Sequence, residues 1–130
     1  MRLVIDASVA LGRCLAGDVG PLADHELHAP ALLASEVASV LREMTHRGEI
    51  TVTRATRAAT VLETLGLAYA QPGSLVMPAF ELATRLGWAK TYDAEYVSLA
   101  SRLACPLLSL DARLARGAAP VVQVLGPSNL

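Results

Sequence analysis

The sequence predicts an α/β protein of three layers, a central parallel sheet covered by helices on both faces (α/β/α). Three observations carry that expectation. Short unalternated apolar runs, Leu3-Val4-Ile5 and Leu107-Leu108 among them, read as strands buried on both faces, the habit of parallel sheets. Longer stretches between them carry apolar residues at helical spacing. The two kinds of element alternate along the chain, so right-handed crossovers bring the strand exits to one edge, where ligands bind in open α/β sheets.

The elements follow in order. Leu3 to Ile5 is the first strand and Asp6 ends it; Ser8 opens a helix through Ala16, which the Gly17 to Pro21 segment closes. Asp24 to Ala29 is a polar connector with a short strand at Leu27 to Ala29. Pro30 suits a first helical position, and the helix from there to Arg47 sets Leu33, Val37, Val40, Leu41 and Met44 on one stripe before Gly48 stops it. Thr53 to Leu65 repeats the pattern with Ala58, Val61, Leu62 and Leu65 inward. Leu75-Val76-Met77 reads as a third strand, followed by a helix from Pro78 to Leu86. Trp88 reads as packing in the connector beyond. In the helix that opens after Thr91, Asp93 shares a side with Tyr96, Val97, Ala100 and Ala104, the side expected to be buried. Cys105-Pro106 breaks the chain before Leu107-Leu108, Asp111 stands at that strand's exit, and Ala119 to Val124 is the last strand.

Composition narrows the class. A chain of 130 residues is expected to form a single domain, 1–130, with a core that needs no disulfide or structural metal. Cys14 and Cys105 are too far apart for a CxxC pair, and His25 and His28 read as solvent-exposed. No apolar run is long enough to span a membrane, and Asp6 interrupts the first one too early for a signal peptide, so a cytoplasmic location is expected. The net charge of −1 argues against a protein that coats nucleic acid indiscriminately. If four of the twelve acidic residues gather around cations, however, eight face eleven basic ones, ten of them Arg, and the outer surface is positive.

Four carboxylates can reach the edge of strand exits: Asp6, Glu36 on the border of its helix's apolar stripe, Asp93 and Asp111. Each has a bland explanation, helix capping or a partner Arg, but four together point to a shared task. Unit like charges at 4 Å repel by about 4 kcal/mol at an effective dielectric of 20, so such a cluster calls for cations. Oxygen ligands without Cys or His favour Mg²⁺ or Mn²⁺ over zinc. The same repulsion predicts that, in chelator, Asp6→Asn and Asp93→Asn melt no lower than the wild type.

LVIDAS at 3 to 8, ASEVASVL at 34 to 41, TYDAEYVSLASRL at 91 to 103 and PLLSLDARL at 106 to 114 resemble the acidic motifs of the PIN domain, in particular the VapC-type toxins of toxin-antitoxin pairs. The resemblance covers nearly the whole chain in order. It implies a PIN-like fold and a Mg²⁺- or Mn²⁺-dependent endoribonuclease with Asp6, Glu36, Asp93 and Asp111 as the acidic quartet. Ser8 and Ser109 match supporting hydroxyls, with Ser109 standing where Thr is more usual. Of the basic residues, Arg13, Lys90, Arg113 and Arg116 are the candidates to hold the RNA backbone. The resemblance further implies a small antitoxin protein as partner and a homodimer. The alternative is a PIN-like binding module with weak or no catalysis that acts by association with a small protein or RNA. An aspartyl-phosphate phosphatase fits less well, because Asp6 is followed by Ala7 and Ser8 with no second Asp of a DxD pattern.

Overall fold

A computed structural model describes residues 1–130. Five strands, β1 (Arg2–Ile5), β2 (Glu26–Ala29), β3 (Ala68–Tyr69), β4 (Leu107–Leu108) and β5 (Val124–Leu125), form one parallel sheet in the order β3-β2-β1-β4-β5. β1 is central because Leu3, Val4 and Ile5 are apolar on both faces and fully buried. Val4 lies opposite His28 on one side and Leu107 on the other, and Ile5 opposite Leu108. Burying a side chain of this kind contributes about 1.5–3 kcal/mol.

Six helices cover the sheet: α1 (Ala7–Ala16), α2 (Leu32–His46), α3 (Val52–Thr64), α4 (Val76–Leu86), α5 (Tyr92–Leu103) and α6 (Ala112–Ala118). The chain steps outward from β1 to β2 and β3, then crosses back to β4 and β5. With right-handed crossovers, the outward half puts α1, α2 and α3 on one face and the return puts α4, α5 and α6 on the other. Accordingly α1 packs against α2 and α3, while α4 packs against α5. The three-layer expectation is met. The direction of winding reverses between β1 and β4, which opens a crevice beyond their carboxyl ends.

Several elements differ from the sequence reading. Leu75-Val76-Met77 is not a strand; Leu75 caps α4, and Val76 and Met77 are 58% and 59% exposed on its first turn. Pro72-Gly73 turns the chain there, and Pro78 is tolerated because a first-turn N–H has no helical partner. The third strand is Ala68–Tyr69, whose exposed side chains give no apolar signal. The last strand begins only at Val124: the N–H groups of Val121 and Val122 both donate to the Ala118 carbonyl, so this apolar run wraps the end of α6. Ala104 is exposed, not buried, and caps α5 at φ 51°. His25 and His28 are half-buried; His28 pairs with Glu26 at 2.8 Å.

Candidate active site

Asp6 stands at the crevice because β1 ends there. Its backbone is extended and its side chain caps α1, Oδ1 accepting from the Val9 N–H at 3.1 Å. The same oxygen accepts from the Ser8 hydroxyl at 2.6 Å, and Oδ2 accepts from the Ser109 hydroxyl. The carboxylate, only 6% exposed, is thus held from three directions. Capping and site-building are therefore combined in one residue. A carboxylate offers about four lone-pair sites, so one remains open.

The two serines tie this carboxylate to the neighbouring strand exit. Ser8 Oγ accepts from the Leu110 N–H at 3.2 Å and Ser109 Oγ from the Asp111 N–H at 2.9 Å. Backbone donors beyond β4 thereby polarise hydroxyls that donate to Asp6, a pair of hydrogen-bond chains that reinforce each other. Asp111 caps α6, with Oδ1 accepting from the N–H groups of Arg113 and Leu114 at 2.9 and 3.2 Å. Its Oδ2 is left over.

Glu36, on the second turn of α2, accepts a 2.7 Å hydrogen bond on Oε1 from the hydroxyl of Tyr96 on α5. Tyr96 itself is 2% exposed. Burial and the facing Glu36 carboxylate hold its phenol far above its ordinary pKa, so it stays a donor. Asp93, on the first turn of α5, accepts no hydrogen bond and is open to solvent, contrary to the burial expected from its side of the helix. Ala94 takes the buried place, since this turn stands over the crevice and not over the sheet.

Glu36, Asp93 and Asp111 line one cleft of about 650 Å³ together with Trp88, Lys90, Tyr92 and Arg113. Desolvation pushes the Glu36 carboxyl above its ordinary value, the Tyr96 bond opposes this, and the charges of Asp93 and Asp6 add to the rise. Asp93 is likewise raised, first by the protein crowding its carboxyl despite its open rim, then by Asp111 and Asp6; Arg113 counteracts. Each carboxylate is felt by another across the cleft.

No family model matches the chain. It is, however, 35% identical over 114 residues to VapC ribonuclease Mb0985 of Mycobacterium bovis, covering 86% of this chain and 87% of that one. The chain belongs to the VapC ribonuclease family. The VapC fold is shared with the crystal structure of PAE2754 from Pyrobaculum aerophilum, at a TM-score of 0.80, 18% identity and coverage of 99% and 91%. It is shared too with VapBC2 from Rickettsia felis, a structure bound to a DNA fragment from the promoter, at a TM-score of 0.67, 12% identity and coverage of 97% and 98%.

In this VapC chain the remaining candidates divide. Lys90 and Arg113 are exposed on the cleft wall. Arg116 is exposed in the last turn of α6 but does not line the cleft. Arg13 is not brought there either: its guanidinium holds the Asp18 carboxylate at 2.9 Å and the Asp18 carbonyl at 3.0 Å, and it closes over Gly20, where a Cβ would stand 2.6 Å from it. Trp88 packs as expected, against Gly117, where a Cβ would meet the indole at 3.0 Å, and also forms cleft wall.

No three His, Cys, Asp or Glu side chains are drawn closely enough together to enclose an ion. The site is a cleft walled by carboxylates, not a finished cage. Its donor set nevertheless suits a hard cation. One lone pair of Asp6, Oε2 of Glu36, both oxygens of Asp93 and Oδ2 of Asp111 are unspent, and all are oxygens. Sequence reasoning placed Tyr96 in the core and missed its bond to Glu36. The available signal was a hydroxyl on an apolar stripe, one turn after Asp93.

Proposed function

We propose that this protein is a metal-dependent endoribonuclease, the toxin of a toxin-antitoxin pair. The observation that carries the reading is the single cleft at the β1/β4 switch point, lined by Glu36, Asp93 and Asp111 with Asp6 fixed behind it. Kinship with VapC ribonucleases supports RNA as the substrate. Asp6, Glu36, Asp93 and Asp111 would hold Mg²⁺, with Mn²⁺ able to replace it. When bound, such ions supply an activated water and offset charge at the leaving oxygen of a phosphodiester.

The chain's own residues do the rest. Ser8 and Ser109 keep the Asp6 carboxylate oriented by donating to it. Lys90 and Arg113 hold backbone phosphates beside the carboxylates, Arg113 by its planar fork. They also offset the repulsion a polyanion meets at an acidic wall. The VapBC2 neighbour supports a small antitoxin protein as partner. Val76, Met77 and Phe80, exposed together on α4, support self-association into a homodimer, which a solution mass of two chains checks.

The experiment is incubation of purified protein with total cellular RNA in Mg²⁺, in Mn²⁺ and in EDTA, beside Asp93→Asn, with cut ends mapped by sequencing. Discrete cuts that need metal and vanish in the variant are expected. Absence of cuts from folded protein free of co-purified inhibitor refutes the nuclease and leaves a binding module.

A further inference from the structure

Packing alone does not account for Tyr96. A Phe would fill the same space between α5 and the sheet, whereas a buried hydroxyl is costly unless it finds a partner. Its partner is Glu36, 60 positions away on a helix of the opposite layer, at 2.7 Å. The bond therefore reaches from one face of the sheet to the other at the strand exits.

Glu36 needs such a partner. Its side chain is long, stands at the border of α2's apolar stripe, and has no other hydrogen bond to select one of its rotamers. Tyr96 follows Asp93 by three residues, one turn along α5, so a single rigid helix carries both Asp93 and the group that grips Glu36. α5 is itself packed on β1, whose exit holds Asp6. We propose that Tyr96 is a positioning residue of the metal site: its phenol holds Oε1 of Glu36 and sets the carboxylate's place relative to Asp93, leaving Oε2 for a divalent cation. The inference rests on the nuclease reading above. It extends to a hydrogen-bonded carboxylate the rule that partners of metal ligands fix ligand orientation and tune affinity.

A purely structural staple between α2 and α5 would predict something different. Removing its hydroxyl would lower the melting temperature and leave metal affinity alone. The test is Mn²⁺ binding followed by the electron paramagnetic resonance of free Mn²⁺, on wild type and Tyr96→Phe, with thermal melts alongside. Binding about 10-fold weaker in the folded variant is expected, with cleavage restored toward wild type as Mn²⁺ is raised. Equal Mn²⁺ affinity in the two proteins overturns this inference and leaves the nuclease standing. Wild-type protein that binds no Mn²⁺ overturns both.

A second measurement does not depend on the variant folding. In wild-type protein labelled with ¹³C at tyrosine Cζ, assigned through Tyr69→Phe and Tyr92→Phe, the Tyr96 resonance is expected to move as Mg²⁺ is added. Its midpoint should match that of metal binding. A Tyr96 resonance that stays fixed through saturation overturns the proposal.

Discussion

Asp6→Asn and Asp93→Asn, compared in EDTA at neutral pH, should separate two carboxylates that the sequence treats alike. Asp6 accepts three hydrogen bonds, two of them from serine hydroxyls. Asparagine keeps one acceptor oxygen, and still caps a helix well, but turns the other into a donor facing Ser8 or Ser109. The serine facing that donor can turn its hydroxyl to accept from it, so three bonds to a charged acceptor become three neutral ones; at about 1 kcal/mol lost per bond, the cost is about 3 kcal/mol. Relief of the repulsion felt by Glu36 and Asp93 returns about 1 kcal/mol. The net loss of about 2 kcal/mol lowers Tm by roughly 6–10 °C for a chain of this size. Asp93 makes no hydrogen bond to lose, and its repulsion by Asp111 and Asp6 outweighs its attraction to Arg113. Asp93→Asn is therefore expected to melt at the wild-type temperature or up to roughly 3–5 °C above it, a gain of at most about 1 kcal/mol, the scale of open-site charge effects. Circular-dichroism melts decide. An unchanged Asp6→Asn, or an Asp93→Asn that melts clearly below the wild type, refutes the reasoning; the three hydrogen bonds to Asp6 are what set it apart from the expectation that both variants melt no lower than the wild type.

Two further outcomes follow from the cleft. The Asp93 carboxyl is raised above its ordinary 3.8, so the folded state binds more protons than the unfolded one and stability falls as pH climbs from that value through the raised one. In EDTA the Tm advantage of Asp93→Asn should thus be absent at the acid end and grow to its full size above the window; melts across pH check this, and an advantage largest in acid contradicts it. Lys90→Ala and Arg113→Ala should each reduce the salt dependence of metal-free RNA binding by about 0.7 in log–log slope, while Arg13→Ala, whose guanidinium is tied to Asp18, leaves it unchanged. Salt titrations of labelled RNA distinguish them, and an equal loss for Arg13→Ala would show that its ion pair opens to substrate.

What was legible in the chain follows from burial. β1 and β4 announce themselves because Leu3, Val4, Ile5, Leu107 and Leu108 are covered on both faces. β3 and β5 are two residues each, defined by backbone bonding at the sheet's edges, and their partly or fully exposed side chains carry no periodic signal. Val76 and Met77 misled for the converse reason: apolar residues left on the surface of a first helical turn imitate a buried strand. Asp6 and Asp111 could be placed because Asp6 directly follows β1 and Asp111 stands three residues beyond the end of β4. Glu36 and Asp93 could be nominated from helical spacing, but their exposure and the Tyr96 grip depend on how α2 and α5 meet, which no local pattern encodes. Arg13 was lost to a partner five residues away, in a loop whose path the sequence leaves open.

The serine links between the two central strand exits bear on the order in which the protein is made. Ser109 reaches Asp6 across 103 positions of chain, and β4 joins β1 only after every outer strand on the other side has been synthesised. Closing so long a loop is late and slow compared with forming the hairpin-free outward half. A growing chain therefore carries Asp6 and Glu36 for most of its time on the ribosome without the Asp111 wall or the hydroxyl that orients Asp6 from β4. On the proposed nuclease reading, competence would arrive only once β4 has joined β1. Cleavage by a chain stopped before Leu107 would contradict that order.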